Sequence, residues 1–113
     1  MPADCIFCKI INKEIPSKIV YEDTNVFAFR DIHPQSKIHV LVIPKKHISS
    51  LEEIKSQNLY DQIFSAIKLI AKQEGIDKTG YRICINNGAD AGQTVFHTHF
   101  HILGGERLSD KMA

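Results

Sequence analysis

At 113 residues the chain has the length of one domain, and its balance of 43% hydrophobic to 24% charged residues is that of an ordinary core-forming protein. Fourteen basic and thirteen acidic side chains leave a net charge of +1 with no long run of either sign, which excludes an electrostatic footprint for nucleic acid or an anionic membrane surface. No apolar stretch approaches the roughly 20 residues of a membrane span, the opening Met1-Pro2-Ala3-Asp4 carries no secretory signal, and three cysteines make an odd count that argues against a secreted disulfide framework. The expectation is a cytoplasmic protein of one domain, residues 1–113, without nucleic-acid or membrane partners.

In chain order, Ile6 to Ile11 forms a short helix that ends before Ile15-Pro16. The β-branched and aromatic segments Ile19 to Asp23 and Val26 to Asp31, separated by Thr24-Asn25, make a hairpin. The apolar run His39 to Ile43, closed by Pro44, suits a strand buried on both faces. Ser49 or Ser50 caps a short helical turn. The period then changes: Leu59, Ile63, Ile67 and Ile70, with Phe64 and Ala71 beside them, mark one long helix from Asn58 to Glu74. Asn58 is its expected N-cap and Gly75 its stop. Strands Tyr81 to Asn86, with Cys84 as a small core residue, and His97 to Leu103 follow. Between them lies Asn87 to Gln93, a glycine-containing loop too short for a helix and too polar for core. The sum is a strand-rich α+β domain with one dominant helix.

The last strand carries the chemistry. His97, His99 and His101 alternate, so a period of two points all three from one face. A lone histidine needs no explanation, but three in a row must each find partners for two ring nitrogens. Two jobs compete. Neutral imidazoles are common metal ligands; equally, an imidazole is a good nucleophile at phosphorus, since it is largely neutral near pH 7 and forms a labile phosphoramidate. Spacing alone does not choose. The upstream residues Asn86, Gly88, Gly92, Gln93 and Thr94 place small groups and neutral donors beside the histidines, where phosphate oxygens can be met.

Asn86 to Gly105, NNGADAGQTVFHTHFHILGG, resembles the signature of the histidine-triad nucleotide-binding family, in which three histidines alternate with apolar residues; Thr98 departs from that pattern. Further similarity lies in Ile6-Phe7-Cys8-Lys9-Ile10-Ile11 with Glu14-Ile15-Pro16, in Phe27 to Ile32, and in Val42-Ile43-Pro44-Lys45-Lys46-His47. The pattern resembles the nucleoside phosphoramidase branch more than the dinucleoside-polyphosphate branch. The resemblance implies a mainly antiparallel five-stranded sheet with one long and one short N-terminal helix. It implies His99 as the nucleophile, with His101 and His39 supporting its orientation and protons. It also implies Gln93 and Thr94 on the phosphate and leaving group, and Asp31 on the ribose. Phe7, Ile10, Ile15, Phe29 and Ile32 would wall the base, with plain core packing as the alternative for these five; Asn86 and Gly92 complete the nucleotide contacts.

The substrate implied is a purine nucleoside 5′-phosphoramidate, hydrolysed through a nucleotidyl-histidine in a homodimer without an organic cofactor. A dinucleoside polyphosphate hydrolase or a nucleotidyltransferase is the alternative within enzymes. A non-catalytic zinc- and nucleotide-binding interaction module is the alternative from another class. Phosphoramidase relatives often carry a tryptophan-bearing tail, whereas this sequence has no tryptophan, which bears on leaving-group preference. Cys5 and Cys8 stand at a spacing that suits tetrahedral zinc, and His47 and His97 are candidates for the other two positions. An unmetallated or redox-active thiol pair is the alternative there. His33, before Pro34, reads as a turn residue.

Overall fold

A computed structural model of the chain describes residues 4–111; the signal-peptide reading of Met1, Pro2 and Ala3 falls outside that range. The elements run α1 (Ile6–Ile11), β1 (Ile19–Glu22), β2 (Val26–Arg30), β3 (Ile38–Pro44), α2 (Gln57–Gln73), β4 (Tyr81–Cys84) and β5 (Phe100–Gly104). The strands form one sheet in the order β1-β2-β3-β5-β4, every neighbouring pair antiparallel. This is the expected α+β architecture. No helix among the described residues is long and apolar enough to cross a membrane.

The two faces of the sheet are used differently. On one, Val26, Ala28, Val40, Val42, Phe100 and Ile102 pack against Ile63, Ala66, Ile67, Ile70 and Ala71 of α2. Ile63, Ile67 and Ile70 are at most 1% exposed, so truncating any of them to alanine removes about 2–5 kcal/mol of stability. On the other face, Phe27, Phe29, Leu41 and Ile43 pack against Phe7, Cys8 and Ile10 of the short α1. That helix covers only the β2–β3 part of the face. Towards β5 and β4 the same face carries His39, His101, Leu103 and Cys84, since His39 pairs with Leu103, Leu41 with His101, and His101 with Cys84.

Several boundaries differ from the sequence reading. Helix α2 begins one residue earlier, because the Ser56 hydroxyl, not Asn58, accepts from the Leu59 amide at 3.3 Å as the N-cap. Its end is as expected: Gly75 takes φ +74°, its amide donates to the Lys72 carbonyl, and the Ile76 amide donates to that of Ala71. Strand β4 stops at Cys84, as the Asn86 side chain turns to donate to the Ala91 carbonyl at 2.7 Å. Cys84 is half-buried rather than core. The loop before the histidines does hold one helical turn, a 3-10 segment Ala89–Ala91 bracketed by Gly88 and Gly92 at positive φ. A second such turn, Leu51–Glu53, follows Ser50, whose side chain makes no capping bond; the Glu53 carboxylate instead receives the Ser49 amide and hydroxyl. The largest difference is that β5 starts at Phe100, so His97 to His99 lie outside the ladder. The His97 carbonyl and the Thr98 amide are committed elsewhere, to His99 Nδ1 and the Ile48 carbonyl.

Candidate functional site

His39 on β3 and His101 on β5 face each other across the ladder, with Nε2 of His39 2.9 Å from Nδ1 of His101. Partners fix which nitrogens carry protons. The Gln35 backbone N–H donates to His39 Nδ1 at 3.0 Å, so a neutral His39 keeps its proton on Nε2. That proton is donated to His101 Nδ1, with the Asp31 carboxylate 3.5 Å away as a weaker second acceptor. His101 must then hold its own proton on Nε2. A chain of donors therefore runs from the backbone of the turn after β2 to a free N–H on the triad's third histidine.

His99 is set the opposite way round. Its Nδ1 lies 2.7 Å from the carbonyl oxygen of His97, and a carbonyl only accepts, so the proton is on Nδ1 and Nε2 is bare. An imidazole with one anchored N–H and one free lone pair is a nucleophile. Burial keeps these rings neutral: it pushes His101 down to about 4, and His99 and His39 below the ordinary histidine value, although Asp31 pulls both of the latter upward. Nine-tenths buried, His99 is edge-on to Phe7 at 5.0 Å between ring centres and to His101 at 5.2 Å.

Cys5, Cys8, His47 and His97 converge so that their ligand atoms lie within 4.8 Å of one another. His97 donates Nε2–H to the Pro44 carbonyl at 2.8 Å, which leaves Nδ1 as a lone pair. That nitrogen is 3.4 Å from the Cys5 sulfur and 3.6 Å from that of Cys8, while His47 Nδ1 is 3.4 Å from the Cys8 sulfur. Tetrahedral zinc with ordinary bond lengths places sulfur and nitrogen about 3.6 Å apart, so these residues fit that ion. Burial pushes the Cys8 thiol up to about 11, with Cys5 adding to the rise; a cation would reverse that by drawing off the proton. Asp31, His39 and His101 form a second close group of metal-ligating types. Its His39 nitrogen facing the group already carries the shared proton, so this group is wired as a relay and not as a cage.

The remaining sequence candidates divide. Asp31 is half-buried; one carboxylate oxygen accepts the His33 amide at 2.8 Å, closing the turn in which His33 lies exposed. It lines a cleft of about 580 Å³ with Arg30, Ile32, Lys37 and His39. A second cleft of about 620 Å³ shares His39 and adds His101, Cys84 and Asn86, so the two meet at the relay. A larger hollow of about 870 Å³, near the end of α2 and the tail, has no histidine on its walls. Of the five expected base-wall residues, Phe7, Ile10 and Phe29 are buried in the core under α1, Ile15 packs partly against it, and Ile32 stands 83% exposed at the cleft. Gln93 is buried, and its amide is fully used: the oxygen accepts from the Gly88 amide, and the nitrogen donates to the Ser49 and Val95 carbonyls. It latches the loop, while Thr94 and Gly92 are exposed beside it. Sequence reasoning did not find the Gln35 amide or the Pro44 carbonyl, because backbone groups leave no mark in residue types.

The HIT domain family model matches residues 12–108. Among solved structures, a histidine triad protein from Clostridium difficile is 49% identical with a TM-score of 0.94, over 98% of this chain and 98% of that one. A HIT family hydrolase from Legionella pneumophila Philadelphia 1 is 42% identical with a TM-score of 0.90, over 95% of this chain and 97% of its own. A 14 kDa zinc-binding protein of Brassica juncea is 46% identical over 110 residues, 94% of this chain and 96% of that protein. With a match of that extent, the chain belongs to the HIT domain family.

Proposed function

We propose that the protein hydrolyses nucleoside 5′-phosphoramidates at the α-phosphate, through a nucleotide covalently held on His99. The observation that carries this reading is the bare Nε2 of His99, anchored through Nδ1 and flanked by the donor end of the His39–His101 relay. The purine base lies along the Ile32 side of the cleft and the ribose hydroxyls on Asp31. His99 Nε2 attacks the phosphorus of a substrate already protonated on its amine nitrogen, the phosphorus–nitrogen bond breaks, and the amine leaves neutral while the His101 N–H stays hydrogen-bonded to a phosphoryl oxygen. Water then attacks the phosphorus and gives its proton to the released amine, the phosphorus–His99 bond breaks, and nucleoside monophosphate and neutral His99 are released. Oxyanion charge is met by the His101 N–H and by donors of the loop that Gln93 latches, with Thr94 at its exposed end. The similarity to a protein described as a HIT family hydrolase supports the reaction class.

Cys5, Cys8, His47 and His97 are read as a structural zinc site, in keeping with the zinc-binding relative; the ion would staple α1 to the histidine segment. A homodimer is read from the exposed Phe64 and Leu69 on α2 and Ile83 on the open edge strand β4, and the compartment as cytoplasm. The test is hydrolysis of adenosine 5′-phosphoramidate by purified protein beside His99→Ala. Turnover should fall by at least about a thousandfold in the variant while adenosine monophosphate still binds. Equal turnover in the two proteins overturns the nucleophile. Turnover of a dinucleoside polyphosphate in place of the phosphoramidate moves the substrate to the other branch, and none with either leaves a binding module.

A further inference from the structure

We propose that the Cys5–Cys8–His47–His97 cluster is a positioning device for the nucleophile: metal bound there fixes the orientation and the tautomer of His99. This rests on the zinc reading above and goes beyond a purely structural staple. His99 owes its bare Nε2 to one acceptor, the carbonyl of His97, and His97 belongs to the metal cluster. Because β5 begins at Phe100, the ladder does not hold that carbonyl in place. Three other ties do. The Thr98 amide donates to the Ile48 carbonyl, at 2.6 Å. The His97 ring donates to the Pro44 carbonyl, and its other nitrogen lies against the two sulfurs. Loss of the metal weakens the third of these ties and leaves a buried imidazole beside two buried thiols.

A second route runs through α1. Cys5 is the N-cap of that helix and Cys8 lies in its first turn, with the Cys8 amide donating to the Cys5 sulfur at 3.3 Å. Phe7, between them, touches the rings of both His97 and His99 edge-on, at 5.9 and 5.0 Å. The same four ligands thus hold the acceptor of the His99 proton from one side and the ring packed on His99 from the other. His97 and Phe7 are positioning residues in this scheme, since neither needs to touch substrate. Linkage makes the effect reciprocal: whatever holds His99 in its reactive tautomer tightens the metal in turn.

The test uses the zinc-loaded full chain, the same protein stripped with a chelator, the stripped protein reloaded with zinc or cobalt, and the variants Cys8→Ala and His47→Ala. Metal content and circular dichroism are measured on each, and the tautomer of His99 is read from nitrogen-15 histidine spectra. In the loaded protein His99 should show the proton on Nδ1 alone. In stripped but folded protein it should exchange between tautomers, with turnover down about tenfold or more and KM changed by less than about threefold. Reloading with either ion should restore both. Metal that binds and leaves without moving the His99 signals overturns the proposal and leaves the zinc reading intact. Failure of the chain to bind metal at all overturns both. Should stripped wild-type protein unfold, the His47→Ala variant carries the tautomer measurement, because its side chain lies against His97 and not His99.

Discussion

Two clusters built from nearly the same residue types lie either side of His99 and have opposite wiring. In the Cys5–Cys8–His47–His97 group, the far nitrogen of His97 is tied to a backbone carbonyl, so the near nitrogen is a free lone pair. In the Asp31–His39–His101 group, the far nitrogen of His39 is tied to a backbone amide, so the near nitrogen carries a proton. One backbone group, donor or acceptor, decides whether an imidazole offers its neighbours a lone pair or an N–H. Residue identity does not settle the role; the partner of the second nitrogen does.

The contrast can be broken at several points. The largest effect is expected from Cys8→Ala: bound zinc should fall from one equivalent to none, and the melting temperature on the order of 10 °C with it. Two equivalents in the wild type, the second lost in Asp31→Ala, would make the relay a cage after all. His39→Ala removes the donor to His101 Nδ1, so His101 can place its proton on either nitrogen. Turnover should drop by roughly tenfold to a hundredfold with zinc content unchanged, and a coupled loss of zinc would merge the two clusters into one.

Smaller effects follow from burial. His101 is held near pKa 4 in the folded chain, against about 6.5 for a free histidine. Between those values the unfolded chain binds the proton and the folded one does not. The stability that this group contributes is therefore complete above about pH 6.5 and lost as pH falls towards about 4. Urea midpoints at pH 7 and pH 5 should differ less for His101→Asn than for wild type, and an unchanged difference would remove His101 from that dependence. The smallest change concerns Thr98. Among the described residues its hydroxyl is the one buried side-chain N or O without a partner. Thr98→Val should raise stability by about 1 kcal/mol in a denaturant titration, and a loss would show that the hydroxyl is satisfied in solution.

Much of this was legible in the sequence, for local reasons. The bounds of α1 and of β2 and β3 fall within a residue of expectation, since hydrophobic period and turn residues report directly on them. His97, His99 and His101 stood out by spacing, and Cys5 and Cys8 by theirs. What was not legible depends on backbone groups brought from elsewhere. Ser56 won the helix cap by geometry over the equally eligible Asn58. A strand period of two correctly grouped the histidines, yet it extended β5 over His97 to His99. The ring of His97 and its carbonyl had been claimed by Pro44, the cysteines and His99. Gln93 looked like a free donor until its amide met Gly88, Ser49 and Val95.

The fork between Arg30 and Glu74 has a consequence at a distance. Two parallel bonds, 2.8 and 3.1 Å long, fasten the last residue of β2 to the residue that closes α2. Arg30 immediately precedes Asp31, so the long helix, which packs on the far face of the sheet, anchors the backbone from which the Asp31 carboxylate enters the cleft. Anyone transplanting the histidine strand into another sheet would have to carry this clasp as well, or the acid would arrive at the cleft on an untethered hinge.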